Sequence, residues 1–334
     1  MNNLFSYYVT KFFTEYLPKV KRLSRNTISS YNDTILMLLN YMKTYKEIDF
    51  NIINIEDITI DLIESFIVYL NDERKLSASS SNQRLAAIKS LFKYIQMKDA
   101  SSFDLCNKIS KIPFAKAPKP IIDYLSIDEV EYLMNSFDLT SSLEIKHFMI
   151  ISFLFETAAR VQEICDLKIS DINFERNSIT LHGKGNKTRD IPLSRNLKNN
   201  LLQYTNINNI KDSDQLLFTN KYNQKLTRAG VSYIITKYIT RCHKEKEEWF
   251  NIKATPHTFR HSKAISMLEA GISIFIIRDF LGHVSIATTE RYLKISIKFK
   301  EKELSKNAND IAYEIPEQEK VTEKDLIDVL KSLK

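Results

Sequence analysis

Apolar residues recur every three or four positions through the first hundred residues of the chain. This periodicity predicts helices over residues 27–42, 61–70 and 82–95, and no alternating strand pattern competes with it there. The apolar stripe expected to be buried on the third helix consists of Leu85, Ile88, Leu91, Phe92 and Ile95. The first 110 residues are therefore predicted to form a helical domain.

The opposite face of the 82–95 helix is basic. Gln83, Arg84, Lys89 and Lys93 lie on or near it. Because a row of cations can follow a phosphate backbone, Arg84, Lys89 and Lys93 are candidate DNA-binding residues. A solvated outer face has the same composition, so this helix alone leaves both interpretations open.

The second half of the chain mixes helices with one short β signal. Ser126 and Glu129 form a capping-box start for a helix, and residues 145–157 are apolar enough to form a buried helix. Strands are predicted at 177–181 and 188–193, flanking a turn that contains two glycines. Helical periodicity returns at 195–204, 227–242, 257–270, 274–281 and 285–293. The predicted fold class is therefore mainly α with a small β-sheet.

The predicted domain boundary lies at 111–120, where three prolines and three lysines leave no helical pattern and favour an extended linker. A second domain is expected at 121–300, followed by a tail at 301–334. The tail contains an amphipathic segment at 322–333 that is too short to be a stable helix alone. It is expected to dock either on its own domain or on a neighbouring subunit.

Charge adds information about partners. The 334 residues carry a net charge of +7, and a length of this order accommodates two domains with separate cores. Lys and Arg outnumber Asp and Glu by 17 to 12 in residues 1–120 and by 25 to 20 in 121–300, whereas the tail has 6 against 9. Both domains thus favour a polyanionic partner, and the acidic tail favours a protein surface.

Cysteine usage and hydropathy exclude other classes. Cys106, Cys165 and Cys242 are far apart and form no paired motif, which predicts neither disulfides nor a zinc site. Apolar stretches such as residues 148–155 are too short to span a membrane, and no signal peptide is visible at the start. We expect a soluble cytoplasmic protein without a metal.

Two basic residues in the first part of the second domain, Arg160 and Lys184, could contact a phosphate. Arg160 follows the apolar 145–157 helix and could fork onto two phosphate oxygens while Glu163 orients it, although an ordinary ion pair with Glu163 fits equally. Lys184 on the predicted hairpin turn could swing toward a phosphodiester and protonate a leaving oxygen. Lys187 and Arg189 compete with it, and a hairpin that only touches the DNA backbone is the alternative.

Residues 257–292 contain further candidate catalytic side chains: histidines, an arginine and a tyrosine. His257 and Arg260 are three residues apart and share a helix face, whereas the adjacent His261 is interpreted as a structural residue. His283 and Tyr292 come next, and each taken alone would fit a packed structural position. A tyrosine hydroxyl is a weak nucleophile at neutral pH, so attack on phosphorus requires cationic donors of the kind found here.

In this order the motifs resemble those of the tyrosine recombinase, or phage integrase, family, and specifically its compact Xer-like or transposon-encoded members. The matching segments are Arg160 with Glu163, then 183–189 with Ile191-Pro192, 257–262, 281–283 and 289–292. Residues 27–31 and 82–94 resemble the family's N-terminal domain more weakly. One departure is Ala158-Ala159, where most members have Gly-Leu before the first catalytic arginine, so the local turn is expected to differ.

The resemblance implies a helical, SAM-like core-binding domain and a mixed α/β catalytic domain that close on duplex DNA as a C-clamp. It implies that Tyr292 forms a 3′-phosphotyrosyl link while Arg160 and Arg260 hold the scissile phosphate. Lys184 would protonate the leaving 5′-oxygen, His257 would accept a proton or donate to the phosphate, and His283 would be a further donor. No cofactor is implied. The terminal helix would couple subunits of a tetramer on paired sites, with a paralogous recombinase as a conceivable partner.

The sequence thus predicts a site-specific recombinase that works through a Holliday junction, and it favours integration or excision of a mobile element. Xer-type resolution of chromosome dimers at a dif-like site is the first alternative. A type IB topoisomerase-like enzyme or a non-catalytic DNA-binding protein is the second. Target sequence is not encoded by any motif in the chain.

Overall fold

The computed structural model describes residues 4–47, 53–117, 122–183, 187–210, 212–294 and 331–332. The chain divides into two compact units, Met1–Pro120 and Ile121–Lys334. Residues 118–120 of the predicted linker and nearly all of the predicted 322–333 helix lie outside the described residues. Among the residues that are described, no helix is long and apolar enough to cross a membrane.

The first unit is helical, as predicted. Helix α1 (Phe5–Lys11) continues into a π-helical stretch (Phe12–Val20) that the periodicity did not predict. The remaining helices are α2 (Arg25–Lys46), α3 (Ile60–Asp72), α4 (Ala78–Lys98) and α5 (Phe103–Lys111). Helices α2 and α4 begin before their apolar repeats because the hydroxyls of Ser24 and Ser77 cap the first turns, accepting from the backbone N–H of Thr27 and Ser80.

The predicted stripe on α4 is confirmed as the centre of the first core. Each of its side chains is 2% exposed or less, as given for Leu85, Ile88, Leu91, Phe92 and Ile95. Helices α2, α3 and α5 all pack against α4. Burial of five large apolar side chains on one helix fixes its rotation and therefore decides where its polar residues point.

The basic face of α4 is not an open row of cations, because protein groups bind two of its three basic side chains. Arg84 donates to the carbonyl of Ser30 and, at 3.0 Å, to Thr34 Oγ1, tying α4 to α2. Lys89 donates at 2.9 Å to the carbonyl of Ser110, and its burial lowers the pKa of its ammonium. Lys93 is exposed. Contact of these three cations with DNA stays a prediction.

In the second unit the two predicted strands are confirmed as an antiparallel hairpin. Strands β2 (Ser178–His182) and β3 (Thr188–Pro192) pair in the register Ile179 to Ile191. A third strand, β1 (Ile172–Asn173), pairs with β2 and was missed because two residues give no alternation to read.

The second unit also contains eight described helices, of which α8 was not predicted from the sequence. They are α6 (Ile127–Asn135), α7 (Ser142–Thr157), α8 (Val161–Asp166), α9 (Arg195–Ile207), α10 (Arg228–Glu245), α11 (Pro256–Glu269), α12 (Ile274–Leu281) and α13 (Ala287–Glu290). The Ser126–Glu129 capping box is present, with the backbone N–H of Ser126 donating to the Glu129 carboxylate at 2.7 Å. The single helix predicted over 285–293 is corrected: α13 ends at Glu290 and a 3-10 turn (Arg291–Lys294) follows.

The second core is built around α7, whose residues 149–151, 153 and 154 are at most 2% exposed. Cys106 in the first unit and Cys165 and Cys242 in the second are buried free thiols. No cluster of three His, Cys, Asp or Glu side chains that could hold a metal ion occurs in the described part of the chain. Helix α7 points its C-terminal end toward the residues described next, because Arg160 and Glu163 follow it directly.

Candidate active site

The turn after α7 is left-handed at a residue that is not glycine. Ala158 has φ 49° and ψ 33°, a conformation that costs an L-residue about 1–2 kcal/mol relative to the right-handed helix. This is the position of the Ala158-Ala159 departure, and alanine here adopts a conformation suited to glycine. The Ala158 carbonyl accepts a 2.7 Å hydrogen bond from Arg260 Nη1, so the turn helps to hold a guanidinium.

Glu163 is the anionic anchor of the site. Its side chain is 2% exposed, and its carboxylate accepts from Arg160 Nη1 at 2.9 Å and from both terminal nitrogens of Arg189 at 2.8 Å. The backbone N–H of Arg160 adds a further bond at 2.8 Å. Burial raises the pKa of Glu163, but the hydrogen bonds and charges of Arg189 and Arg160 outweigh it and hold the pKa below its usual value.

Arg189 was predicted to bind DNA, and this stays a prediction, but its guanidinium is held by protein groups. Its side chain is 10% exposed, and besides the fork onto Glu163 its Nε donates at 3.1 Å to the Phe280 carbonyl. The guanidinium therefore ties β3 to α8 and α12. Lys187 on the same hairpin is exposed, and its carbonyl accepts from the backbone N–H of Gly183 at 2.7 Å. Lys184 lies outside the described residues.

Arg260 is buried, and among the described residues it has no carboxylate partner of its own. Its side chain donates to the carbonyls of Ala158 and Leu281, and the residue is 3% exposed. Burial, together with the charges of Arg160 and Arg189, lowers the pKa of Arg260 to about 9. Arg160 Nη2 donates at 3.3 Å to the neighbouring Gly282 carbonyl. Three guanidiniums thus converge near the end of α12.

Two of the predicted histidines lie beside these arginines. His283 Nδ1 lies 2.9 Å from Thr289 Oγ1, and burial with the nearby arginines lowers the pKa of His283 to about 4. Burial, Arg260 and Arg160 also lower the pKa of His257. Both rings are therefore expected to be neutral at physiological pH. A cleft of about 490 Å³ opens here, lined by Arg160, Gly183, Lys187, Thr188, Arg189, Gly282, His283 and Val284.

Tyr292 lies on the 3-10 turn and is 2% exposed. Burial raises the pKa of its hydroxyl, although Arg260 and Arg291 act in the opposite direction. The hydroxyl lies 2.8 Å from Nδ1 of His261, the histidine that sequence reasoning had set aside as structural. Its spacing from His257, four residues along one helix, was the signal that could have found it.

The structure therefore brings Arg160, Glu163, His257, Arg260, His283 and Tyr292 into one cluster and adds Arg189 and His261 to it. Within the described part of the cluster, Arg160 and Arg189 share the Glu163 carboxylate, whereas Arg260 donates to backbone carbonyls. Uncompensated buried cations beside a tyrosine hydroxyl are suited to binding a tetrahedral anion and to stabilising charge that develops on it.

Comparison with known proteins identifies the family. Residues 123–298 match the model of the phage integrase family, and residues 11–98 match that of the phage integrase N-terminal SAM-like domain. Tyrosine recombinase XerD of Listeria monocytogenes is 30% identical over 85% of this chain and 93% of its own length. Tyrosine recombinase XerC of Leptospira interrogans is 28% identical over 90% of this chain and 92% of its own length.

Solved structures share the fold at lower identity. The Tn1549 transposon integrase in complex with transposon right end DNA aligns over 90% of this chain and 99% of that one, with a TM-score of 0.70 and 15% identity. XerH bound to palindromic difH aligns over 83% of this chain and 79% of that one, with a TM-score of 0.63 and 20% identity.

Proposed function

We propose that this chain, which belongs to the phage integrase family of tyrosine recombinases, cleaves and rejoins DNA with Tyr292 as its nucleophile. The chain is a site-specific DNA recombinase. The residue roles are our assignment. Attack of Tyr292 Oη on the scissile phosphorus forms a 3′-phosphotyrosyl bond and releases a 5′-oxygen, and attack by a 5′-hydroxyl reverses the step.

The observation that carries the assignment is the uncompensated positive charge beside Tyr292. Arg160 and Arg260 donate to the carbonyls of Gly282, Ala158 and Leu281, which are weak partners for a guanidinium compared with an anion. When a phosphodiester enters the cleft, its charged oxygens would replace these carbonyls as hydrogen-bond acceptors for the two arginines. The same donors would then stabilise the extra charge of the transition state.

The remaining roles concern protons and hydrogen bonds. Lys184, which the sequence predicts on a hairpin turn, protonates the leaving 5′-oxygen. His257 accepts a proton or donates to the phosphate, and His283 is a further donor. Glu163 orients Arg160 through its carboxylate. We assign Arg189 a positioning role as well, because its guanidinium binds the same Glu163 carboxylate.

The DNA partner is a duplex recombination site, and the proposed assembly is a tetramer that resolves a Holliday junction, with residues 322–333 docking on a neighbouring subunit. A paralogous recombinase could share the assembly, and the reaction takes place in the cytoplasm. We favour integration or excision of a mobile element, which the fold shared with a transposon integrase supports. Xer-type resolution is the second candidate, supported by identity to XerC and XerD along nearly the whole chain.

A nicked suicide duplex tests the nucleophile. Wild-type protein should become covalently attached to the DNA 3′ end, and Tyr292→Phe should bind the duplex but form no adduct. Tyr238→Phe is a matched control, because its hydroxyl also lies beside a histidine Nδ1, at 2.9 Å, yet away from the cleft. An adduct with Tyr292→Phe would contradict the assignment, as would loss of the adduct in Tyr238→Phe with DNA binding intact.

The two biological roles separate in a second assay. Recombination is measured in parallel on the ends of a linked mobile element and on a chromosomal dif-like site. Turnover on element ends alone supports the mobile-element role, and turnover on the chromosomal site alone replaces it with Xer-type resolution.

A further inference from the structure

The Tyr292 hydroxyl must lose a proton when it attacks phosphorus, and the geometry indicates where that proton goes. The hydroxyl lies within hydrogen-bonding distance of Nδ1 of His261, at 2.8 Å. His283 uses its own Nδ1 on Thr289 Oγ1. His257 lies one helical turn from His261, with ring centroids 6.3 Å apart. His261 is therefore the histidine in direct contact with the reacting oxygen.

Burial and the charges around His261 keep its ring unprotonated at neutral pH. Burial, Arg291, His257 and Arg260 lower the pKa of His261 to about 4. Burial raises the pKa of Tyr292. At neutral pH the ring is therefore neutral, and in the tautomer with its hydrogen on Nε2 the tyrosine O–H donates to Nδ1. The titratable groups facing this ring are Arg291 and Tyr292 from the 3-10 turn, His283 from the turn after α12, and His257 and Arg260 from α11 itself.

We propose that His261 is a further catalytic residue, the acceptor of the Tyr292 hydroxyl proton during strand cleavage. The inference rests on the proposed function, because it requires Tyr292 to be the nucleophile. As the Oη–phosphorus bond forms, the proton moves to His261 Nδ1. The phosphorus–5′-oxygen bond breaks, and Lys184 supplies the proton that the leaving oxygen takes up. Religation returns both protons, and His257 is left to donate to the phosphate.

A bound phosphodiester favours this transfer. His261 is hard to protonate in the DNA-free protein because it faces Arg260 and Arg291. The scissile phosphate adds negative charge beside the same arginines, which offsets their repulsion of an imidazolium. Proton acceptance is thereby coupled to substrate binding, and the free enzyme keeps its tyrosine protonated.

Two substitutions at one position separate proton transfer from positioning. Asparagine can keep a hydrogen-bonding atom near the place of Nδ1 but cannot take up a proton, whereas alanine supplies neither function. We expect His261→Asn and His261→Ala to form the covalent adduct about 10²–10⁴-fold more slowly than wild type under single-turnover conditions, with DNA binding unchanged. Their rates should keep rising through the alkaline range, where wild type has levelled off, because hydroxide replaces the missing acceptor.

His147→Asn is the matched control. His147 Nδ1 lies 2.9 Å from Tyr238 Oη, and burial with nearby lysines lowers the pKa of His147 to about 4, so the change has the same chemistry at a distant pair. Its adduct rate should equal that of wild type. Thermal unfolding is measured for all variants, and His261→Gln provides a second uncharged replacement if alanine prevents folding.

Near-wild-type rates in His261→Asn with slow His261→Ala would reduce His261 to a positioning role and overturn the proposal. Wild-type rates in both variants, or an unchanged pH profile, would overturn it as well. If wild-type protein itself forms no adduct on its cognate site, it is the nucleophile assignment that fails, so the two failures are distinguishable.

Discussion

In the described part of the second domain, two partly buried histidine–tyrosine pairs have nearly the same geometry. His147 contacts Tyr238 at 2.9 Å, and His261 contacts Tyr292 at 2.8 Å. Burial is the main cause that lowers the pKa of each histidine to about 4 and raises that of each tyrosine. Geometry and burial of the pair therefore do not distinguish a structural contact from a catalytic one.

The difference lies in how the neighbouring arginine is neutralised. Arg241 lies over the Tyr238 ring, with its guanidinium carbon 4.6 Å from the ring centroid, and pairs with Glu144 at 2.9 Å. Arg260 beside Tyr292 donates to backbone carbonyls, while Glu163 is already engaged by Arg160 and Arg189. One region has its charge balanced internally, and the other is left with positive charge that an incoming anion can satisfy.

Removal of the shared carboxylate should have the largest effect and would test that contrast directly. Glu163→Gln leaves two guanidiniums without their buried partner and should cost about 3–5 kcal/mol of unfolding free energy. Glu144→Gln, at a side chain 16% exposed rather than 2%, should cost less. Urea titrations of both variants measure the difference. Equal losses would mean that the two regions are held together in the same way.

The next effect separates stability from rate. Arg260→Lys should slow adduct formation by about 10²–10³-fold, because an ammonium cannot reproduce the fork of a guanidinium on a phosphate. Arg241→Lys should leave the rate unchanged while lowering stability, since its guanidinium contacts Glu144 and the Tyr238 ring. The suicide-duplex assay and thermal unfolding are run on both. A slow Arg241→Lys enzyme of normal stability would remove the contrast.

Acid sensitivity comes third. The pKa of His147 and His261 falls from 6.5 to about 4 in the folded protein, so the unfolded chain binds more protons between those values. Stability is therefore fully present above pH 6.5 and declines as the pH falls toward 4, by at most about 1.4 kcal/mol per pH unit for each histidine and less where solvent reaches the ring.

Bound DNA should reduce the loss of stability at low pH that comes from His261 but not the loss that comes from His147. A phosphate beside His261 raises its pKa and flattens its contribution, whereas His147 keeps its own. Unfolding is followed against pH with and without duplex for wild type, His147→Asn and His261→Asn. If DNA flattens the profile of His261→Asn as strongly as that of wild type, His261 does not sense the phosphate.

The smallest effect is expected at Ala158. This residue ends α7, the helix that carries His147, and its carbonyl binds Arg260. Ala158→Gly removes the strain of a left-handed alanine but increases the conformational entropy of the unfolded chain. We expect the free energy of unfolding to rise by about 1 kcal/mol or less. The adduct rate should change little because the carbonyl that holds Arg260 remains. Thermal unfolding beside the adduct assay measures both, and a destabilised glycine variant would show that this conformation is not strained.

Much of the fold could be read from local patterns. The stripe on α4 and the β2–β3 hairpin were predicted because each is set by a periodicity within a few residues. Strand β1 was too short to carry a pattern, and the end of α13 was misplaced because apolar spacing does not separate an α-helix from a 3-10 turn. On α4, the contacts of Arg84 and Lys89 could not be predicted because the carbonyls that bind them belong to other elements.

The candidate active site, like the fold, could be predicted from the sequence only in part. The sequence by itself determined the order of its cations and of Tyr292, and through the family resemblance it indicated their chemistry. Only the tertiary structure decided that Glu163 binds Arg189, 26 residues away, and that His261 contacts Tyr292, 31 residues away. Such pairings depend on how the helices and the sheet pack, and packing also sets the burial that fixes each pKa. Charge balance in a buried cluster is therefore a property of the folded chain.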